Sequence, residues 1–138
     1  MTITKGCKQL VAEAEEVIRT YPIEEAVALA GSQDVVFVDI RDVRELEKTG
    51  KVAGAVHAPR GMLEFWFDPE SPYYREIFGS EDKSYVLYCA SGWRSALATK
   101  TLYEMGMSNV GHIGGGFTAW KEANGPLEEY KHKAAKAD

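Results

Sequence analysis

Hydrophobic positions along the chain fall into short continuous runs separated by segments of helical spacing. DVVFVDI (34–40) and SYVLYC (84–89) consist of β-branched, aromatic and aliphatic residues, and both are too short for helices and largely apolar on both faces. This pattern is typical of central strands in a parallel sheet. Two shorter strands are predicted in GAVHAP (54–59) and NVGHI (109–113).

Between the strands, apolar residues recur at the spacing of amphipathic helices. A first helix is predicted from Lys8 to Arg19, and a second from an N-cap at Thr20, with Pro22 in its first turn, to Gly31. Further helices are predicted in RDVRELEKTG, ending at Gly50, in SALATKTLYEMG (95–106) and in FTAWKEAN (117–124), and a helix followed by a loop in residues 61–79. Strands that alternate with helices predict an α/β domain with a mostly parallel sheet.

The composition is typical of a globular protein, and the length of the chain is that of one domain. The chain has 138 residues, 45% of them hydrophobic, which is enough for one domain with a buried core. A formal net charge of −5 argues against nucleic acid or an anionic membrane surface as a partner. No segment approaches the roughly 20 apolar residues of a membrane span, and the N-terminus lacks signal-peptide features. We therefore expect a cytoplasmic protein.

The two cysteines, Cys7 and Cys89, are too few for a disulfide framework and match no zinc-ligand spacing. The three histidines, His57, His112 and His132, are scattered without motif spacing. We expect neither a metal nor a cofactor.

Cys89 ends a predicted strand and is followed by ASGWRS, so it lies at the carboxyl end of the sheet, where ligands of α/β domains bind. A cysteine after an apolar run is more often an inert core residue. Here, however, Gly92 permits a turn whose N–H groups converge on an anion, and Ser95 is a candidate cap for the following helix. Arg94 adds a positive charge. These features favour a nucleophilic thiolate, which needs an electropositive setting.

The spacing between the cysteine and the arginine narrows the chemistry. Cysteine phosphatases use a Cys-x5-Arg loop that surrounds a phosphate, whereas four residues separate Cys89 from Arg94. A smaller ring is better suited to a single additional sulfur on the cysteine than to a tetrahedral phosphate.

Three motifs in order make the chain similar to single-domain rhodaneses, members of the sulfurtransferase family, from about Pro22 to Pro126. They are VVFVDIRDVRELEKTGKVAGAVHAPRG, YVLYCASGWRSALATKTLYEMG and NVGHIGGGFTAWKEANGP. The resemblance implies a three-layer α/β domain, with helices on both faces of a mostly parallel sheet of about five strands. Residues 22–127 would form this domain, residues 1–21 an N-terminal helical extension, and residues 128–138 a charged tail that we expect to fray.

The resemblance also implies an activity, thiosulfate-type sulfur transfer. The Cys89 thiolate would take the outer sulfur of a donor such as thiosulfate or a persulfide, and a thiol acceptor, or cyanide, would remove it from the Cys89 persulfide. Arg94 would act with Cys89. The loop residues expected to bind the substrate are Ala90, Ser91, Gly92, Trp93 and Ser95. Both a monomer and a homodimer are compatible with the sequence.

Four residues outside the loop are candidates for supporting roles. Asp39 and Arg41, at the end of another strand, are expected to support the loop. Arg60, which follows Pro59, is a candidate for attracting an anionic donor, and Trp66 for a wall of the pocket. Two alternatives remain open: a non-catalytic binding or regulatory module with this fold, and, disfavoured by loop length, a phosphatase or arsenate reductase.

Overall fold

The structure is a computed structural model, and residues 1–131 are described. The helices are α1 (Cys7–Val17), α2 (Ile23–Ala28), α3 (Val43–Thr49), α4 (Leu63–Phe67), α5 (Trp93–Glu104) and α6 (Gly116–Glu122). The strands are β1 (Arg19–Tyr21), β2 (Val35–Asp39), β3 (Lys51–Val52), β4 (Val56–His57), β5 (Ser84–Tyr88), β6 (Val110–Ile113) and β7 (Leu127–Glu128). Short 3-10 helices lie at Arg60–Met62 and Glu76–Phe78.

Five strands form one sheet in the order β1-β6-β5-β2-β4, and every neighbouring pair is parallel. The predicted mostly parallel sheet flanked by helices is confirmed. Buried side chains alternate along the central strand β5: Tyr85 and Leu87 belong to one core cluster, Val86 and Tyr88 to the other. Cys89 continues the alternation and lies with Tyr85 and Leu87. The sheet therefore determines which face receives the thiol.

The segment Arg19–Tyr21 differs from its predicted conformation. Thr20 was expected to cap the second helix, but it lies in β1 and pairs with β6, while Pro22 is the N-cap of α2. A three-residue edge strand is too short to show an alternating pattern, and only its distant partner strand stabilises it. The prediction for Thr20 is wrong for this reason.

The chain after Pro126 also gains order from a distant partner. Leu127 and Glu128 form β7, which pairs antiparallel with β3 in a separate two-stranded sheet. The Glu128 carboxylate accepts hydrogen bonds from the Gly54 amide and the Lys51 ammonium group. These contacts anchor the start of the segment that was expected to fray.

The N-terminal helix α1 packs on the outer surface of α5. Its buried residues Val11 and Ala14 join Ile18 and Ala96 in a third core cluster. The Arg19 amide donates to the Tyr103 hydroxyl over 3.0 Å, which connects the end of this helix to α5. Along residues 1–131, no helix has both the length and the apolar character needed to cross a membrane.

Candidate active site

Cys89 lies in a tight connection between β5 and α5 at the carboxyl edge of the sheet. Its side chain is buried, with 1% of its surface exposed. Gly92 is the N-cap of α5 and has φ of +107°, a left-handed conformation that favours glycine. Ser95, predicted to be the cap, lies inside the first turn of α5 instead, because the helix begins two residues earlier, at Trp93.

Three polar groups converge on the sulfur. The amides of Gly92 and Ser95 donate to Cys89 Sγ over 3.2 and 3.4 Å, and the Ser95 hydroxyl oxygen lies 3.6 Å from Sγ. Both amides belong to the N-terminus of α5, a 12-residue helix whose dipole favours negative charge there. Hydrogen-bond donors and a helix N-terminus aimed at a cysteine sulfur are the kind of setting that favours the anionic form of a thiol.

The remaining predicted loop residues have different surroundings. Ala90 is partly buried and its carbonyl faces α6, whereas Ser91 is exposed and Trp93 is 47% exposed at the loop surface. Their predicted roles in binding a substrate stay predictions.

The loop carbonyls are held by the start of α6. The Phe117 amide donates to the Cys89 carbonyl over 2.8 Å, and the Thr118 amide donates to the Ala90 carbonyl over 3.1 Å. Gly116 makes this approach possible: its φ is +62°, and a Cβ there would lie 2.6 Å from the Cys89 carbonyl oxygen. The Gly-Gly turn thus orients the loop, a role that its sequence pattern alone did not indicate.

Arg94 is anchored by an acidic residue that the sequence analysis missed. Its guanidinium forms two hydrogen bonds with the Glu45 carboxylate, at 2.9 and 3.0 Å. These bonds raise the pKa of Arg94, and the nearby Cys89 sulfur raises it further. Glu45 also completes a capping box with Asp42 at the start of α3, a pattern that is visible in the sequence. What the sequence lacked was any sign that this carboxylate reaches the loop.

Asp39 and Arg41 form a buried ion pair with a shortest contact of 2.7 Å. Arg41 also donates to Thr49 Oγ1 and the Gly50 carbonyl, and it lies 4.2 Å from the ring centroid of Phe117. Burial opposes the charge of Arg41, but Asp39 outweighs it and raises the pKa of Arg41. The pair therefore connects β2 with the end of α3 and the start of α6. Of these two helices, α3 contacts Arg94 and α6 contacts the cysteine loop.

The other two predicted residues contact groups outside the cysteine loop. Arg60 forms a partly exposed ion pair with Glu64, and its amide donates to the Ile40 carbonyl at the end of β2. Trp66 lies under the guanidinium of Arg75, 3.6 Å from the ring centroid, and lines a groove with His57. Their roles in donor attraction and as a pocket wall stay predictions.

A buried histidine, His112 on β6, is the second residue that the sequence analysis missed. Its Nδ1 lies 2.8 Å from Ser95 Oγ and its Nε2 lies 3.1 Å from Thr20 Oγ1. Burial lowers the pKa of His112 to about 4, so the ring is neutral at pH 7. No spacing rule links His112 to Cys89, because the two meet only across adjacent strands. His132 lies outside the described residues, within which no cluster of three or more potential metal ligands occurs.

Comparisons with known proteins agree with this architecture. The model of the rhodanese-like domain family matches residues 23–123. The structure of a Rhodopseudomonas palustris protein of unknown function, described as a possible tyrosine phosphatase, is 54% identical, with a TM-score of 0.88 over 93% of this chain and 98% of that one.

The names of two relatives contain the term thiosulfate sulfurtransferase. The thiosulfate sulfurtransferase GlpE of Coxiella burnetii is 28% identical over 70% of this chain and 81% of its own length. The mouse thiosulfate sulfurtransferase/rhodanese-like domain-containing protein 3 is 26% identical over 70% of this chain, and the match spans 64% of that protein. The family match covers most of the chain and includes the cysteine loop, both strands beside it and the Gly-Gly turn that holds it. This protein belongs to the rhodanese-like domain family.

Proposed function

We propose that the protein is a sulfurtransferase that carries a sulfane sulfur as a persulfide on Cys89. The observation that supports this most directly is the convergence of the Gly92 amide, the Ser95 amide and the Ser95 hydroxyl on Cys89 Sγ. The sulfurtransferase name of the Coxiella burnetii relative points to the same chemistry. We expect small donors such as thiosulfate or a persulfide, and a thiol acceptor.

The reaction divides into two displacements at sulfur. The Cys89 thiolate attacks the outer sulfur of thiosulfate, the sulfur–sulfur bond of the donor breaks, and sulfite leaves with the bonding electron pair. The product is a Cys89 persulfide anion. An acceptor thiolate, or cyanide, then attacks the outer sulfur, and Cys89 leaves as a thiolate.

The donors at the start of α5 would act on the sulfur in both steps. They stabilise Cys89 as the attacking thiolate and again as the departing one, as an oxyanion hole stabilises developing charge. Arg94 adds positive charge at the edge of the site, but Glu45 already accepts two of its hydrogen bonds. Its electrostatic contribution is therefore weaker than that of an unpaired guanidinium.

A phosphatase is the second candidate, since the 54% identical Rhodopseudomonas palustris protein is described as a possible tyrosine phosphatase. Two features argue against it here. Only four residues separate Cys89 from Arg94, and the amides of Gly92 and Ser95 contact the sulfur itself. A non-catalytic binding module is a third candidate, but such a module would not require donors aimed at a thiolate.

The proposal is tested by intact mass spectrometry after incubation with thiosulfate. We expect a mass gain of one sulfur atom that maps to Cys89, is lost on adding cyanide and is absent in Cys89→Ser. Cys7→Ser is the matched control, because Cys7 is the exposed cysteine and its replacement should leave the adduct intact. If no adduct forms with thiosulfate or glutathione persulfide, or if an aryl phosphate is turned over faster than thiosulfate, the proposal is wrong.

A further inference from the structure

A continuous line of polar groups connects the buried thiol of Cys89, at the end of the central strand β5, with the edge strand β1. It runs from Sγ to Ser95 Oγ at 3.6 Å, to His112 Nδ1 at 2.8 Å, and from His112 Nε2 to Thr20 Oγ1 at 3.1 Å. Ser95 and His112 are completely buried, whereas Thr20 is exposed on β1. The line therefore begins inside the core and ends at solvent.

We propose that His112 is a positioning residue that acts through Ser95 and controls whether the Ser95 hydroxyl donates its hydrogen to the Cys89 sulfur or accepts one from it. The two arrangements differ in the position of the proton on each hydrogen-bonded group and in one proton, which the thiolate arrangement has released to water. This inference rests on the proposed role of Cys89 as the nucleophile, but its test measures the thiol itself and not sulfur transfer.

The direction of each hydrogen bond follows from the protonation state of the thiol. With Cys89 as a thiol, S–H donates to Ser95 Oγ, the Ser95 hydroxyl donates to His112 Nδ1, and Nε2–H donates to Thr20 Oγ1. With a thiolate, the Ser95 hydroxyl donates to Sγ, Nδ1–H donates to Ser95 Oγ, and the Thr20 hydroxyl donates to Nε2. Imidazole can serve both arrangements because its two nitrogens exchange donor and acceptor roles between tautomers.

Conversion from the thiol arrangement to the thiolate arrangement is a proton relay in which each group passes on one proton. The thiol proton moves to Ser95, the Ser95 proton to Nδ1, the Nε2 proton to Thr20, and the Thr20 proton to water. Every group in the line except Cys89 ends neutral. A histidine that holds no charge of its own suits this role, and burial lowers the pKa of His112 to about 4.

The surrounding charged and titratable groups have partners of their own and remain the same in the variants below. They are Arg94 with Glu45, Arg41 with Asp39, Arg19 with Glu25, and Tyr88 with the Val52 amide. A change in the reactivity of Cys89 on altering His112 or Ser95 therefore reports on this line of groups.

The chain contains a matched control for a buried hydroxyl. Thr99 lies on α5 one turn beyond Ser95, is fully buried, and its Oγ1 has no hydrogen-bond partner among the described residues. Thr99→Val removes a buried hydroxyl from the same helix without touching the line to Cys89.

The experiment follows the rate of Cys89 alkylation by iodoacetamide against pH, in a Cys7→Ser background that removes the exposed thiol. Loss of the Ser95 hydrogen bond to the thiolate should move the midpoint upward by about 0.5 to 1 pH unit in Ser95→Ala, which lowers the thiolate fraction at pH values below the midpoint about threefold to tenfold. His112→Leu keeps that bond but removes the Nδ1–H that supports it, so it should move the midpoint upward by less. Thr99→Val should leave the midpoint unchanged. If His112 acts through Ser95, the double variant should match Ser95→Ala. Unchanged midpoints in folded single variants, or additive shifts in the double variant, would overturn the proposal.

A second measurement needs no substitution at the site. In the Cys7→Ser protein, 15N NMR of His112 should show only Nε2–H between the pKa of His112 and the alkylation midpoint, where the ring is neutral and Cys89 is a thiol, and only Nδ1–H above the midpoint. A single tautomer across the whole range would refute the relay even if both variants fail to fold.

Discussion

Acidification from pH 7 to pH 5 should destabilise the domain through His112, the buried histidine of β6. In the native state the ring is enclosed and its pKa is lowered to about 4 by burial. In the unfolded chain the same group titrates near an ordinary value of about 6.5. Between these two values the unfolded state binds a proton that the native state does not, so stability falls as pH falls and levels off below about pH 4.

The size of the effect follows from these two values. At pH 5 almost every unfolded molecule carries the proton, whereas only about a tenth of native molecules do. The difference in proton binding, integrated from pH 7 to pH 5, amounts to about 2 kcal/mol of unfolding free energy. Carboxylates contribute little in this range because most of them titrate below pH 5.

Urea denaturation at half-unit pH steps, followed by circular dichroism, measures this slope. The reference is His112→Asn, which keeps a polar group near the position of Nδ1 but cannot titrate. His57 and the histidine at 132 remain in both proteins, so their contributions cancel in the comparison. Between pH 7 and pH 5, the unfolding free energy of the native sequence should fall by about 2 kcal/mol more than that of His112→Asn. Equal slopes for the two proteins would contradict this prediction, because they would mean that His112 takes up its proton as readily in the folded state as in the unfolded chain.

Two further substitutions test the supports of the cysteine loop, both by urea denaturation. Asp39→Asn leaves Arg41 buried without its counter-charge and should lower the unfolding free energy by about 3–5 kcal/mol. The control is Glu64→Gln, which breaks the partly exposed pair with Arg60 and should lower the unfolding free energy by less than about 1 kcal/mol. Equal losses in the two variants would contradict the supporting role of the buried pair. Gly116→Ala forces a side chain into a left-handed conformation beside the Cys89 carbonyl and should destabilise by at least about 2 kcal/mol with slower alkylation of Cys89. Gly61→Ala, where a Cβ meets nothing within 4 Å, should change stability by less than about 0.5 kcal/mol, and a similar result for Gly116→Ala would contradict the proposed support.

Local patterns were sufficient for the elements that carry the nucleophile. The buried strand β5, the turn at Gly92 and the helix α5 are all encoded within residues 84–104, because each depends on neighbours a few positions away. The Gly50 end of α3 followed from the same kind of local rule, a glycine with positive φ after the last helical turn. The parallel sheet followed from the alternation of these elements along the chain.

The contacts that tune the cysteine depend on residues far apart in the sequence. Thr20 and His112 are separated by 92 positions, and Glu45 and Arg94 by 49. Neighbouring residues alone are enough to place Cys89 at the end of a buried strand, before a helix N-terminus. That a neutral histidine and a paired arginine adjoin this site depends on strand pairing and helix packing, which bring distant side chains together without leaving a periodic trace in the sequence.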